Sequence, residues 1–193
     1  MDLKAYVSDG QPLTMFNRGF FCLGDTHWNH RNIAEIYEAE ARQALGRDHN
    51  VVMVERWREV VGEDDVVVHL GDLALGKNDD FARIADQLPG RKYMLKTGNH
   101  DRRSRAWYAE HGFTLIPEFW VDYGKWKVRF THRPDDEHKF VCYPKRLNVH
   151  GHVHSKTRGD RRLINLSVEA IEFRPVWITD VLDERIAELS SDS

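Results

Sequence analysis

The sequence predicts an α/β protein made of two packed sheets with helices outside. Three observations predict it. Short apolar runs alternate with helix-like segments through the first half, three of those runs end at a glycine, and the second half changes to hairpin-like strands. At 193 residues the chain can bury one sizeable core without needing a second, so residues 1–193 are expected to form one domain. Hydrophobic residues at 41% and charged residues at 31% are ordinary for a globular protein. A net charge of -3 offers no global attraction to nucleic acid or to an anionic membrane.

Arg18 to Leu23 reads as a buried strand ending at Gly24. Asn32 to Leu45 and Val51 to Val61 follow with helix formers and apolar residues three and four apart. Asp65 to Leu70 is a second strand ending at Gly71, and Asp79 to Leu88 is a helix stopped by Pro89-Gly90. Lys92 to Thr97 is a third strand ending at Gly98, with a helix after it near Arg103 to His111. This alternation implies crossover connections and a largely parallel sheet covered on both faces, which accounts for the unbroken apolar runs. Beyond it the pattern reads as mainly antiparallel. Phe119 to Tyr123 and Trp126 to Thr131 flank a turn at Gly124-Lys125, Leu147 to Val153 and Leu163 to Ile171 read as strands, and Trp177 to Leu182 closes the sheet. Asp183 to Ser193 is a polar tail expected to fray. Cys22 and Cys142 each stand in an apolar or aromatic stretch and are expected as buried, reduced thiols.

Six short segments end apolar runs with side chains able to bind a metal. They are Gly24-Asp25-Thr26-His27, Gly71-Asp72, Gly98-Asn99-His100-Asp101, Thr131-His132, Gly151-His152 and Val153-His154. Carboxylate and amide oxygens combined with imidazole nitrogens suit zinc, manganese or iron better than calcium or a thiolate-held metal. In open α/β sheets, ligands gather beyond the carboxyl ends of the strands. Extended backbone would point Asp25 with His27, and His152 with His154, to one side in pairs. Asp25, His27, Asp72, Asn99, His132, His152 and His154 are too many for one tetrahedral ion and suit two ions that share a bridge. Dications about 3.5 to 4 Å apart repel, so a shared carboxylate is needed, and Asp72 is the expected one. Taken singly, each segment is ordinarily a turn with capping duty. The signal lies in all six occurring in order at strand ends.

In that order the segments resemble the motifs of the calcineurin-like metallophosphoesterase superfamily: Asp-x-His, Gly-Asp, Gly-Asn-His-Asp, a lone His, and Gly-His-x-His. Leu88-Pro89-Gly90-Arg91-Lys92 and Asn165-Leu166-Ser167-Val168-Glu169 are similar to compact bacterial and phage-associated members. The resemblance implies a four-layer αββα sandwich, two packed mixed β-sheets flanked by helices. It implies one divalent ion on Asp25, His27, Asp72 and His154, and a second on Asp72, Asn99, His132 and His152. His100 would face substrate as an acid, with Asp101 holding its ring. The implied reaction is hydrolysis of a phosphate ester, foremost a phosphodiester, by in-line attack of a metal-bridging hydroxide. Manganese, zinc and iron all satisfy the donor set.

Substrate contacts are expected from Arg31, Arg133, His30 and Trp28, with core or rim packing as the competing reading for Trp28. His69 and His150 read as core or supporting residues, and His49, His111 and His138 as surface. The short interval between His132 and His152 leaves little room for a cap, which favours a small phosphate-ester or nucleotide substrate over a protein. A nuclease or nucleotide pyrophosphohydrolase is the alternative enzyme. The basic run Lys156 to Arg162 lends that reading little, because no aromatics interleave it. A metal-binding interaction module is the non-enzymatic alternative, and its expected mark would be missing ligands. The sequence lacks a basic-apolar leader, and no apolar run approaches about 18 residues, which predicts a cytoplasmic protein with no membrane partner. The residues leave homo-oligomerisation open.

Overall fold

A computed structural model describes residues 3–75, 78–156 and 159–191. The chain begins with β1 (Lys4–Val7) and β2 (Phe21–Leu23), then passes through a wide π-helical turn at Ile33–Tyr37 into the short α1 (Ala39–Gln43). α2 (His49–Val60), β3 (Val66–His69), α3 (Asn78–Ala85), β4 (Arg91–Leu95), α4 (Arg105–Glu110) and β5 (Phe113–Ile116) complete the first half. The second half contains β6 (Phe119–Tyr123), β7 (Trp126–Phe130), α5 (His138–Cys142), β8 (Arg146–His150), β9 (Leu163–Asn165), β10 (Val176–Trp177) and α6 (Ile178–Ser191). The Asp48 carboxylate caps α2 by accepting from the Asn50 N–H at 2.7 Å. Ser104 caps α4 in the same way at the Trp107 N–H.

Two five-stranded mixed sheets result, flanked by helices. One has the order β10-β2-β3-β4-β5, with β2 to β5 parallel and β10 an antiparallel edge. β3 is buried along its whole length, as a central parallel strand covered on both faces must be. The other has the order β1-β6-β7-β8-β9. The expected mainly antiparallel second half holds only for β1, β6 and β7, because β7, β8 and β9 run parallel. α5 lies in the connection from β7 to β8, the crossover that a parallel pair requires.

One core joins the two sheets, with Cys22, Val66, Val68 and Leu95 meeting Val121, Val128, Phe130, Leu147 and Val149. Phe119 stacks on Phe130 in that layer at 4.6 Å. A second core packs Met53, Val54 and Trp57 of α2 and Phe81 and Ile84 of α3 onto Leu23, Val67, Met94 and Phe113.

Several expectations are corrected. Asn32 to Leu45 is not one helix but the π turn followed by α1, with the break at Glu38. Leu163 to Ile171 is a strand only to Asn165, after which Val168–Ala170 forms a 3-10 turn. Of Trp177 to Leu182 only Trp177 is strand, and Asp183 to Ser191 is no frayed tail, because α6 begins at Ile178 and runs to Ser191. Ile178 and Leu182 are buried, and Val181, Ile186 and Leu189 pack beside them on the inter-sheet core, so a helical stripe won over β-branched composition. Cys142 is exposed at the end of α5 while Cys22 is buried. His49 is buried against the expectation of a surface position.

Candidate metal centre

Asp25 follows β2, Asp72 follows β3, Asn99 follows β4, His132 follows β7, and His152 and His154 follow β8. Strands of both sheets thus deliver these side chains from their carboxyl ends. The backbone that presents them is not extended. Asp25, His27, Asp72, His152 and His154 all sit at positive φ, between 47° and 70°. The pairs expected from an extended geometry therefore arise from left-handed turns. Such conformations cost of order 1–3 kcal/mol each and persist where the surroundings over-determine them. Hydrogen bonds from Asp25 N to Gly71 O (3.0 Å) and from His27 N to Asp72 O (3.1 Å) tie the two loops together. A Cβ on Gly98 would overlap the Asp101 carboxylate and the Asp72 nitrogen, and one on Gly151 would overlap the Asp25 carboxylate.

Two triads form. Asp25, His27 and His154 bring one donor atom each within 4.8 Å of one another, and Asp72, His132 and His152 do the same. Asp72 stands between the triads: its Oδ2 lies 3.6 Å from His27 Nε2 and 3.5 Å from His132 Nε2. Its Oδ1 accepts from the His100 N–H at 2.8 Å. Asn99 joins the second triad, with Oδ1 3.2 Å from His132 Nε2. His132 Nδ1 donates to the Leu70 carbonyl at 3.1 Å, which leaves Nε2 facing the oxygens of Asp72 and Asn99. Among the described residues, neither ring nitrogen of His27 has a hydrogen-bond partner, and Asp25 Oδ1 is likewise buried without one. Buried acceptors left without partners and converging on one place suit a cation between them. This donor set fits divalent metal ions.

Protonation follows the same geometry. Burial raises the Asp25 carboxyl to about 6, against the opposing pull of the His132 and His154 charges. Burial pushes the His27 ring down to about 2 and the His152 ring to about 4. Burial also works against the Asp72 carboxylate, yet the His132 ring, the His100 N–H and the His27 ring hold it well below the usual range. His132 and His154 are raised in spite of burial, by Asp72 and by Glu169 respectively.

The remaining predicted site residues separate. His100 lies beside His27, with ring centroids 5.2 Å apart, and His30 is 5.3 Å from His27 on the rim. Both line a cavity of about 460 Å³ with His27, His154, Asn32, Ile33, Tyr37, Glu38 and Lys156. Asp101 does not hold the His100 ring: its two oxygens accept from the backbone N–H groups of Asp72 (2.6 Å) and Leu73 (3.0 Å), so it clamps the loop after β3. Trp28 is fully buried in the core with Met53 and Trp57 and cannot reach a substrate. Arg31 is exposed and paired with Glu35 at 2.7 Å. Arg133 is exposed, and its charge helps lower His152. In the basic run, Thr157 and Arg158 lie outside the described residues, and Asp160 takes Arg162 at 2.6 Å.

Two supports stand behind these loops: His69, in the supporting role expected of it, and an Arg42–Glu169 pair that the sequence did not mark. His69 accepts from the Gly71 N–H through Nδ1 at 3.1 Å and donates through Nε2 to Thr26 Oγ1 at 3.0 Å, and Thr26 in turn donates to the Leu73 carbonyl. Arg42 and Glu169 form a buried ion pair beside His154. An arginine on a helix ordinarily reads as surface, so nothing in the sequence marked Arg42.

Residues 20–183 match the calcineurin-like phosphoesterase family. The chain belongs to that family. A calcineurin-like phosphoesterase is in general a metal-dependent phosphoester hydrolase acting on small phosphate esters, and this one carries two candidate metal sites. An uncharacterized protein of Methanocaldococcus jannaschii is 28% identical, the match covering 84% of this chain and 88% of that protein. The Gene 66 protein of Mycobacterium phage D29 is 38% identical, covering 87% and 94%. A solved protein of unknown function from Aquifex aeolicus has the same fold, with a TM-score of 0.68 at 22% identity over 86% of this chain and 98% of that one. No helix among the described residues is long and apolar enough to cross a membrane.

Proposed function

We propose that this calcineurin-like phosphoesterase is a dinuclear-metal phosphodiesterase. The observation that carries the reading is the place of Asp72, one carboxylate oxygen of which lies about equally far from a nitrogen of each triad. Asp25, His27, Asp72 and His154 would hold one divalent ion, and Asp72, Asn99, His132 and His152 the other. Manganese, zinc and iron each suit this mix of oxygen and nitrogen donors. Bound there, two such ions would supply a water of lowered pKa and neutralise charge on the phosphoryl oxygens.

The protein's own groups complete the reaction. The cavity beside His27 and His154 receives the organic part of the ester. Its charged lining is one lysine, Lys156, and one carboxylate, Glu38, and Ile33 and Tyr37 add an apolar wall. That balance favours a diester, with a single negative charge and a second organic arm, over a dianionic monoester. His100 lines the same cavity, where its ring can hydrogen-bond a phosphoryl oxygen or give a proton to the leaving oxygen. Arg133, next to His132 in the chain, and His30, 5.3 Å from His27, are left for further contact with the anion, whereas Arg31 is engaged by Glu35. The setting is that of a small phosphate-ester or nucleotide substrate and a single-domain cytoplasmic enzyme.

The test is hydrolysis of bis-p-nitrophenyl phosphate against p-nitrophenyl phosphate by metal-stripped protein given manganese, zinc or iron in turn. Metal-dependent cleavage with preference for the diester is expected. Preference for the monoester would move the assignment to phosphomonoesters, and no turnover with any ion would favour an interaction module.

A further inference from the structure

Behind the first triad, Arg42 and Glu169 are 2.6 Å apart with both side chains fully buried. A buried ion pair gives up hydration on both partners and is tolerated when every donor and acceptor is used. Here nearly all are. Arg42 donates through Nε (2.9 Å) and Nη2 (2.6 Å) to Glu169 Oε1, through Nη1 to the Thr26 carbonyl (3.0 Å) and through Nη2 to the Asp25 carbonyl (3.0 Å). Glu169 has its other oxygen, Oε2, left over, and that atom accepts from His154 Nδ1 at 3.2 Å. The chain of bonds therefore starts at the backbone carrying Asp25 and ends on the ring of His154. These are two of the three residues in one triad, delivered by loops of different sheets.

We propose that Arg42 and Glu169 are positioning residues that set divalent-ion affinity at the Asp25, His27 and His154 site alone. The proposal rests on reading the two triads as metal sites. Glu169 fixes the proton of His154 on Nδ1, which leaves the Nε2 lone pair free for an ion, and it makes the ring a stronger donor. Arg42 fixes the Asp25 and Thr26 carbonyls, and with them the left-handed turn at Asp25 that aims its carboxylate. The other triad is held by the Leu70 carbonyl at His132 and the His100 N–H at Asp72, and its bond to the first triad is through backbone, the His152 N–H donating to Asp25 Oδ2 at 2.8 Å. Loss of the pair should therefore divide the two sites, where general destabilisation would not.

The test is a competition titration of the metal-stripped full chain with Mn²⁺ against a chelating indicator. The natural chain should take up two ions. Glu169→Gln should bind one ion unchanged and the second about 10- to 100-fold more weakly. If Glu169→Gln leaves Arg42 too costly to bury, the double variant Arg42→Met with Glu169→Met removes both charges and should fold, with the same selective loss. Leu182→Ala, destabilised far from the site, should keep both affinities. Two ions of unaltered affinity in a folded Glu169 variant, or equal weakening of both sites, would overturn the proposal. A natural chain that binds fewer than two ions would overturn the two-site reading, and the proposal with it.

Discussion

Asp72 is asked to do three things at once. Its Oδ1 takes the His100 N–H, its Oδ2 faces both triads, and its backbone nitrogen is clamped by Asp101. Replacing it with asparagine preserves size and one acceptor but removes the shared negative charge that two cations would need. Asp72→Asn should therefore weaken both sites and lower diester turnover by more than the roughly 10- to 100-fold that loss of an outer partner costs. Metal analysis and rate on the same preparation check this, and full activity in the variant would refute it. His100 belongs to a different class of residue, because its ring lines the cavity while only its backbone N–H supports Asp72. His100→Ala should keep two ions per chain and lose about 10²- to 10⁴-fold in turnover. Loss of metal along with the rate would mean that it serves the centre and not the substrate.

At the scale of elements, the loops after β2 and β3 are joined by His69, whose burial pushes its ring down to about 3 and keeps it neutral. The sign of the consequence is fixed. The unfolded chain takes up a proton on this residue below about pH 6.5, while the folded chain does not until about pH 3. Its contribution to stability is whole above pH 6.5 and is lost as pH falls towards 3. Denaturant unfolding of metal-free protein and of His69→Gln should show a stability gap that shrinks by about 1.4 kcal/mol per pH unit across that window. A gap that does not change with pH would refute it. The same loops explain what the sequence could and could not reveal. The chemistry of Asp25, His27, Asp72 and the later histidines was legible because each follows an apolar strand run. The left-handed backbone at five of them was not, since φ above zero is written in a sequence mainly by glycine. α6 was hidden because Val176 and Trp177 are a true edge strand that runs straight into the helix with no breaker between. Arg42 went unmarked and Trp28 stayed between substrate contact and packing for one reason: burial depends on what packs opposite, and a single sequence does not display that.

Across the whole molecule, the division of labour is between two sheets. The all-parallel β2 to β5 could be foreseen from strand and helix alternation, and it supplies Asp25, Asp72 and Asn99. The β7-β8-β9 half looked antiparallel because its first connection is a tight hairpin, and the short crossover through α5 carries too weak a helical signal to be seen. It supplies His132, His152 and His154. The shared core of Val68, Leu95, Phe130 and Val149 holds the two sets of strand ends in register, so the centre exists only when both sheets are packed. The most direct measurement is anomalous diffraction from manganese-loaded crystals. Two peaks are expected about 3.5 to 4 Å apart on either side of the Asp72 carboxylate, one held by Asp25, His27 and His154 and the other by Asn99, His132 and His152. A single fully occupied peak, or two peaks that leave Asp72 untouched, would contradict this.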